Sequence, residues 1–246
     1  MHLSSFLRAL ASPDRLEHIL KNGILRVGTT MDTPVFSIRN ASGQLEGFDM
    51  DALESLGKAL GVKIEYVKMT FGTMLGDLLA DKFDIAMSGM GRTLDRARTA
   101  TFSKPYMRYG KLLMIRSADR EKFKTLADLD KPGLKIAYNK GGLNDRFAHT
   151  EFTQATPTGY PSNQLATADL LAGKVDAQVQ DSTAAVYMAR LNPALAAMSP
   201  ENVFHPVHVA ILLRREDQTL QNYLNIWIDQ IKMDGTLAAI RKKWLG

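Results

Sequence analysis

Residues 77–98 read DLLADKFDIAMSGMGRTLDRAR, and the first eight letters return at residues 169–176 as DLLAGKVD. Six of the eight positions are identical, and each copy joins the tail of an apolar helix to a run with the character of a buried strand. One supersecondary unit used twice predicts two domains. After the first strand, Phe83 to Met87, come the turn Ser88-Gly89-Met90-Gly91 and a cation, Arg96; after the second comes an anion, Asp181, directly before a helix. Open α/β sheets bind ligands at the carboxyl ends of their strands, beside helix amino termini. Arg96 and Asp181 are therefore candidates for facing one crevice, and a crevice with a positive and a negative wall suits a zwitterion.

The composition fits that reading. A chain of 246 residues with 45% hydrophobic and 23% charged side chains has room for two ordinary domains and the apolar content to fill their cores. Its net charge of +5 is spread over separated lysines such as Lys82, Lys104, Lys124, Lys135 and Lys174, without interleaved aromatics, so no nucleic-acid partner is expected. The absence of cysteine excludes disulfides, thiolate metal sites and thiol catalysis. No apolar run approaches the roughly 20 residues of a membrane span. The start, MHLSSFLRALASPDRL, carries letters like a signal-peptide end, but Arg8 interrupts its short apolar region. A cropped leader and a cytoplasmic protein both remain open.

Read in order, 16–20 is a short helix, 24–30 a strand, 50–60 an amphipathic helix, 63–69 a strand, and Phe71 opens a helix to Ala80. Lys111 to Arg116 is strand-like and is followed by a polar stretch, where the first domain crossing is placed. The second half restarts with strand 134–139, the turn Gly141-Gly142, helix 144–149 and a loop from Thr156 to Pro161. Helix 164–172, strand 175–180 and helix 182–191 follow, and Val207 to Arg214 is the return crossing. Helical spacing from Leu220 to Leu245 breaks at Asp234-Gly235. The expected fold is α/β, two βαβ lobes joined by two hinge crossings: 1–114 with 213–246 as a discontinuous first lobe, and 115–212 inserted as the second.

The words LRVGTT, GFDMDALESLGKALG, DKFDIAMSGMGRTLDRAR followed by FSKPY, NKGGLNDRF, GKVDAQVQDSTAAVY and DGTLAAIRKKWLG run through nearly the whole chain. In this order and spacing the chain resembles the periplasmic solute-binding proteins of polar amino-acid ABC transporters. Their fold is the two-lobed type II periplasmic-binding fold. Within that superfamily FDIAMSG, FSKPYMRYGK and GGLND are most similar to the cyclohexadienyl dehydratase branch, enzymes on the same fold. The resemblance implies that Arg96 grips a ligand carboxylate with two parallel hydrogen bonds, which lysine could not do; on charge and spacing alone, Arg96 reads equally as a surface arginine paired within the charged run 95–98. It implies that Asp181 takes an α-ammonium; on charge and position alone, Asp181 reads equally as a helix N-cap. Ser88, Gly89 and Gly91 would bring backbone and hydroxyl groups to the ligand, Gly142 and Asn144 would add donors from the second lobe, and Phe71 would stack on it.

Departures narrow the ligand. Thr30 stands where binders of basic amino acids often carry an acid and Thr33 where many carry an aromatic, so a lysine or arginine specialist is disfavoured. Arg92 replaces a usually apolar residue. Three residues after Asp181, where the dehydratase carries its general-acid glutamate, stands Ala184, and neither Asp145 nor Asp181 matches that role; a missing general acid costs ~10²- to 10⁴-fold in rate. The expectation is therefore binding without turnover, with no catalytic residues, no cofactor and no metal. The five histidines show no HExxH or comparable spacing. The chain is expected to act as a periplasmic monomer, to close by hinge motion on a small zwitterionic or carboxylate ligand, an amino acid foremost, and to hand it to an ABC permease. The alternative is a prephenate or arogenate dehydratase.

Overall fold

The computed structural model describes residues 14–40 and 42–246; the leader-like letters of the first 13 residues lie outside them. In chain order the first part contains α1 (Arg15–Asn22), β1 (Ile24–Thr29), β2 (Asp32–Thr33), β3 (Ser37–Arg39), β4 (Leu45–Glu46), α2 (Phe48–Leu60) and β5 (Lys63–Lys68). It continues with α3 (Met74–Leu79), β6 (Ile85–Ala86), α4 (Leu94–Ala97) and β7 (Thr101–Phe102). The middle holds β8 (Met107–Arg116), α5 (Leu126–Leu129), β9 (Lys135–Asn139), α6 (Leu143–Glu151), β10 (Thr156–Tyr160), α7 (Asn163–Leu171), β11 (Ala177–Asp181), α8 (Ser182–Leu191), β12 (Leu195–Ala197) and β13 (Phe204–Val209). β14 (Leu212–Leu213), α9 (Gln218–Met233) and α10 (Thr236–Leu245) close the chain.

These strands form two principal sheets, ordered β5-β1-β6-β14-β7 and β10-β9-β11-β8-β12, with β13 also on β8; β2, β3 and β4 make a small third sheet. β1 is parallel to β5 and β6, and β9 is parallel to β10 and β11. The chain leaves the first sheet after Phe102, enters the second at Met107, and returns between Val209 and Leu212. This is the two-lobed α/β architecture read from the sequence. The tail is helical and packs on the first lobe, where Leu220, Leu224, Trp227, Ile228, Ile231, Ile240 and Trp244 join Leu25, Val27, Leu53 and Leu56 in one core.

The repeated octapeptide makes the same joint twice. In both copies a left-handed residue ends the helix, Asp81 at φ 58° and Gly173 at φ 71°. Lys82 pairs with Asp77 at 2.7 Å, and Lys174 with Asp169 at 2.9 Å. The last aspartate reaches the neighbouring parallel strand: Asp84 accepts the backbone N–H of Arg26 at 2.8 Å, and Asp176 that of Lys135 at 2.8 Å. The conserved letters thus satisfy donors that the start of a parallel strand would leave open.

Four local expectations change. The first crossing, expected in the polar stretch after Arg116, lies between Phe102 and Met107, because β8 belongs whole to the second sheet. The segment 156–160, expected as a loop, is strand β10; it lies at the sheet edge, where Pro157 removes no hydrogen bond from a second neighbour. The expected single strand 207–214 is two, β13 on the second sheet and β14 on the first. The helix expected from Phe71 begins at Met74, leaving Phe71 in the preceding turn.

Candidate functional site

Both parallel layers end at the gap between the lobes, and the charges stand there. Thr93 caps the single turn of α4, its hydroxyl accepting from the Arg96 N–H at 3.3 Å. This turn aims Arg96 back beneath the glycine turn, where its Nη1 donates to the Gly91 carbonyl at 2.8 Å. Arg96 is only 8% exposed. Among the described residues it makes no ion pair, and burial, with Arg146 acting in the same direction, pulls its pKa below the ordinary arginine value. A guanidinium stays charged regardless, so a buried cation stands with most of its donors uncommitted.

The opposite wall differs from expectation. Asp181 sits at the N-cap of α8, but its side chain makes no capping hydrogen bond. Its carboxylate instead pairs with Lys111, which the antiparallel register of β8 and β11 sets directly opposite. Lys111 Nζ also donates to Asn144 Oδ1 at 2.6 Å and lies 5.1 Å from the centre of the Tyr109 ring. Burial pulls the Lys111 pKa down; the adjoining Asp181 carboxylate acts against that. An internal ammonium thus engages one oxygen of the carboxylate expected to meet a ligand's ammonium.

Around these groups the cleft is lined by Thr33, Phe71, Gly91, Tyr109, Asn139, Leu143, Asn144, Asn163 and Gln180, and the space between them is about 20 Å³. Its charged lining is Arg96, Lys111 and Asp181, two cations and one anion. The amides hold one another: Asn144 Nδ2 donates to Asn139 Oδ1 at 2.7 Å, and Gln180 Nε2 to Asn163 Oδ1 at 3.3 Å.

The other candidates support this lining from behind. Ser88 and Thr30 share a buried hydroxyl cluster: Ser88 Oγ lies 2.9 Å from Thr30 Oγ1 and 2.9 Å from Ser37 Oγ, and Thr30 Oγ1 lies 2.6 Å from Thr33 Oγ1. Gly89 is left-handed, φ 65°, and a Cβ there would meet the Phe36 ring at 2.8 Å, so only glycine fits. Its N–H donates to Asp49 Oδ2 at 2.6 Å, its carbonyl accepts from the Tyr109 hydroxyl at 3.0 Å, and the Tyr106 hydroxyl donates to Asp49 Oδ1 at 2.8 Å. Burial pushes the Asp49 carboxyl up to about 7, against the two donated hydrogen bonds that favour its charged form. Gly142 precedes α6, and a Cβ there would lie 3.3 Å from the Phe71 side chain. Arg92 is exposed and outside the lining. Ala184 is wholly buried in α8 and also outside it.

Sequence reasoning missed Lys111, Tyr109, Asn139, Leu143, Asn163 and Gln180. Two signals were available: a lysine inside the apolar run YGKLLMI, and glutamines alternating through the buried strand AQVQD. Among the described residues, no cluster of acids and histidines has the form of a metal site. No described helix is long and apolar enough to cross a membrane.

Two lobes, two crossing strands and a charged, buried cleft between them define a ligand-enclosing protein of the solute-binding kind. The chain belongs to the bacterial extracellular solute-binding proteins, family 3, whose model matches residues 25–246. It is similar to a cyclohexadienyl dehydratase of Pseudomonas aeruginosa, 35% identical over 96% of this chain and 87% of that one. It is also similar to ABC transporter arginine-binding protein 1 of Escherichia coli, 26% identical over 89% of this chain and 90% of that one. Among solved structures it resembles an ancestral amino acid-binding protein described as a precursor of cyclohexadienyl dehydratase. That match has a TM-score of 0.89 and 35% identity, over 94% of this chain and 99% of the other. Relatives thus include both transport proteins and an enzyme.

Proposed function

We propose that the protein captures a small carboxylate in this cleft and encloses it by hinge motion about β8 and β13, for delivery to the permease of an ABC importer. The carrying observation is Arg96: a buried guanidinium without a carboxylate partner leaves an energetic deficit that an anionic ligand removes. Asp181 Oδ1 is already paired with Lys111, so the ligand needs no ammonium, and one that carries an ammonium would meet Oδ2 of a carboxylate whose charge is partly neutralised. The lobes are proposed as 1–106 with 210–246, and 107–209, shifted from the sequence reading because β8 and β13 both belong to the second sheet. Contacts from both lobes, Arg96 on one side and Lys111 and Asn144 on the other, give the ligand its preference for the closed state. The protein is proposed to work in the periplasm as a monomer, where a permease would meet it.

A thermal-shift and calorimetric screen of 2-oxo acids, simple carboxylates and amino acids tests the reading. Ligand at 100 times its dissociation constant is expected to add about 2.7 kcal/mol of stability, and loss of that gain in Arg96→Ala is required. The second reading, a dehydratase, is favoured by the 35% identical enzyme relative. Against it, the Asp181 carboxylate is engaged by Lys111 and Ala184 has no proton to give. Incubation with prephenate and arogenate separates the two: product at enzymatic rates would establish the enzyme and displace the transport role.

A further inference from the structure

The narrow cleft is not the end of the space between the lobes. Beyond Phe71, Asn139 and Asn163, which line both, it widens into a vestibule of about 1290 Å³. That volume far exceeds what a small amino acid fills, since ligand pockets for drug-sized molecules run ≈ 300–1,000 Å³. One wall is the first lobe, from Thr30 to Arg39 and Tyr66 to Phe71; the other is the start of the second lobe's α7 with Asn139 and Lys140.

The lining is partly apolar and unevenly charged. Met31, Pro34, Ile38, Leu165, Leu171 and Met188 contribute apolar surface, and Leu165 is 53% exposed to solvent. The charged residues are Arg39, Lys68, Lys140 and Asp32. Asp32 is the lone acid, and its carboxylate is engaged by Thr30 and by the backbone N–H of Asn163 at the start of α7. Arg39 donates to the Gly43 carbonyl at 2.7 Å and makes no ion pair among the described residues. Lys68 and Lys140 likewise make no ion pair among the described residues, and both are exposed, with Lys68 near enough for its charge to act on the Asp32 carboxylate. A partly apolar vestibule thus lies between the buried charges of the cleft and two exposed lysines.

Resting on the carboxylate reading above, we propose that the vestibule is a second subsite, and that the ligand is elongated. Its head carboxylate lies at Arg96 and Lys111, an apolar body crosses the vestibule, and a second anionic group reaches Lys68 and Lys140. Exposed ion pairs are weak, so the distal group contributes selectivity more than affinity.

The test is calorimetry with straight-chain monocarboxylates and α,ω-dicarboxylates of matched length, from four to nine carbons, against the whole chain, Lys68→Ala/Lys140→Ala and Arg96→Ala. Beyond a threshold length the dicarboxylate is expected to bind about fivefold tighter than its monocarboxylate at low salt. The advantage should shrink as salt rises, and in the double lysine variant the ratio should fall to about one. Monocarboxylates that bind in an Arg96-dependent way, with no gain from a second carboxylate at any length, would overturn the vestibule subsite and leave the carboxylate reading standing. Binding of no carboxylate would overturn both. A gain that survives removal of both lysines would also overturn the subsite.

Discussion

Arg96 and Lys111 carry the same charge in one small space, yet their situations differ. Lys111 is paired; Arg96 is buried with one carbonyl as its hydrogen-bond partner. Arg96→Ala is therefore expected to lower ligand affinity by roughly 100-fold or more, as losing one member of a buried charge pair does. The ligand-free protein should at the same time keep or raise its Tm, because a desolvated charge has gone. A large Tm loss without ligand would show that Arg96 is structural. Lys111→Gln frees Asp181, so amino acids should gain about tenfold relative to their 2-oxo acids, as expected for a hydrogen bond to a charged group. Titration of both variants with matched pairs checks this. Arg96 was singled out by its place after the glycine turn together with the family resemblance, since charge and spacing alone read equally as a surface arginine paired within the charged run 95–98. Lys111 was not, because its partner lies 70 residues away and is set by strand register alone.

Among elements, the duplicated joint invites a controlled comparison. Asp84 is almost wholly buried and meets both Arg26 and Arg15, with Arg214 and Asp217 in the same network through Asp81 and Arg15; its counterpart Asp176 is partly exposed. Asp84→Ala should cost about 3 kcal/mol and Asp176→Ala about 1, measured by urea unfolding. The arginines around Asp81 hold its carboxyl down at about 2, against the effect of burial. That contribution is present above the unfolded pKa near 4 and is lost as pH falls towards 2. Asp49 behaves in the opposite sense. With a folded pKa of about 7, it binds in the folded state a proton that the unfolded chain has released, so its effect on stability declines as pH rises from about 4 to 7. In Asp49→Asn, Oδ1 can still accept from Gly89 while Tyr106 turns to accept from Nδ2. The stability difference between this variant and the wild type should then widen in the variant's favour across that window; a pH-independent difference would mean that Asp49 is ionised throughout. The octapeptide was legible as a repeated unit because its two aspartates, its lysine and its first leucine each serve a local contact or the core. β10 was hidden because its Pro157 and Gly159 imitate a loop and only its edge position admits them.

Across the whole molecule, the lobes meet in front through the exposed pair Asp95 and Arg146, and through backbones so near that a Cβ on Gly141 would lie 2.6 Å from the Gly72 α-carbon. Behind, the Tyr187 ring faces Trp244 with centroids 6.2 Å apart, and Arg190 donates to the Trp244 carbonyl at 3.3 Å. A space of about 20 Å³ around Arg96 means that a ligand's head group fits there only when the lobes part, even where the ligand arrives through the vestibule. Arg146→Ala removes a solvent-screened pair worth about 1 kcal/mol or less, so it should speed ligand release two- to fivefold, read by stopped flow, with little change in association. The two-lobed layout was legible from strand and helix order. The charge balance of the cleft was not, since it depends on which side chains two distant strands set face to face.

The most direct measurement is calorimetry at pH 7 with a 2-oxo acid and the L-amino acid of the same skeleton, 4-methyl-2-oxopentanoate against leucine and 2-oxoglutarate against glutamate, on the wild type and Arg96→Ala. Tighter binding of the 2-oxo acid in at least one pair, lost in the variant, is expected from a cleft whose only unpartnered charge is Arg96 among the described residues. Tighter binding of the amino acids in both pairs, unaffected by Arg96→Ala, would contradict it.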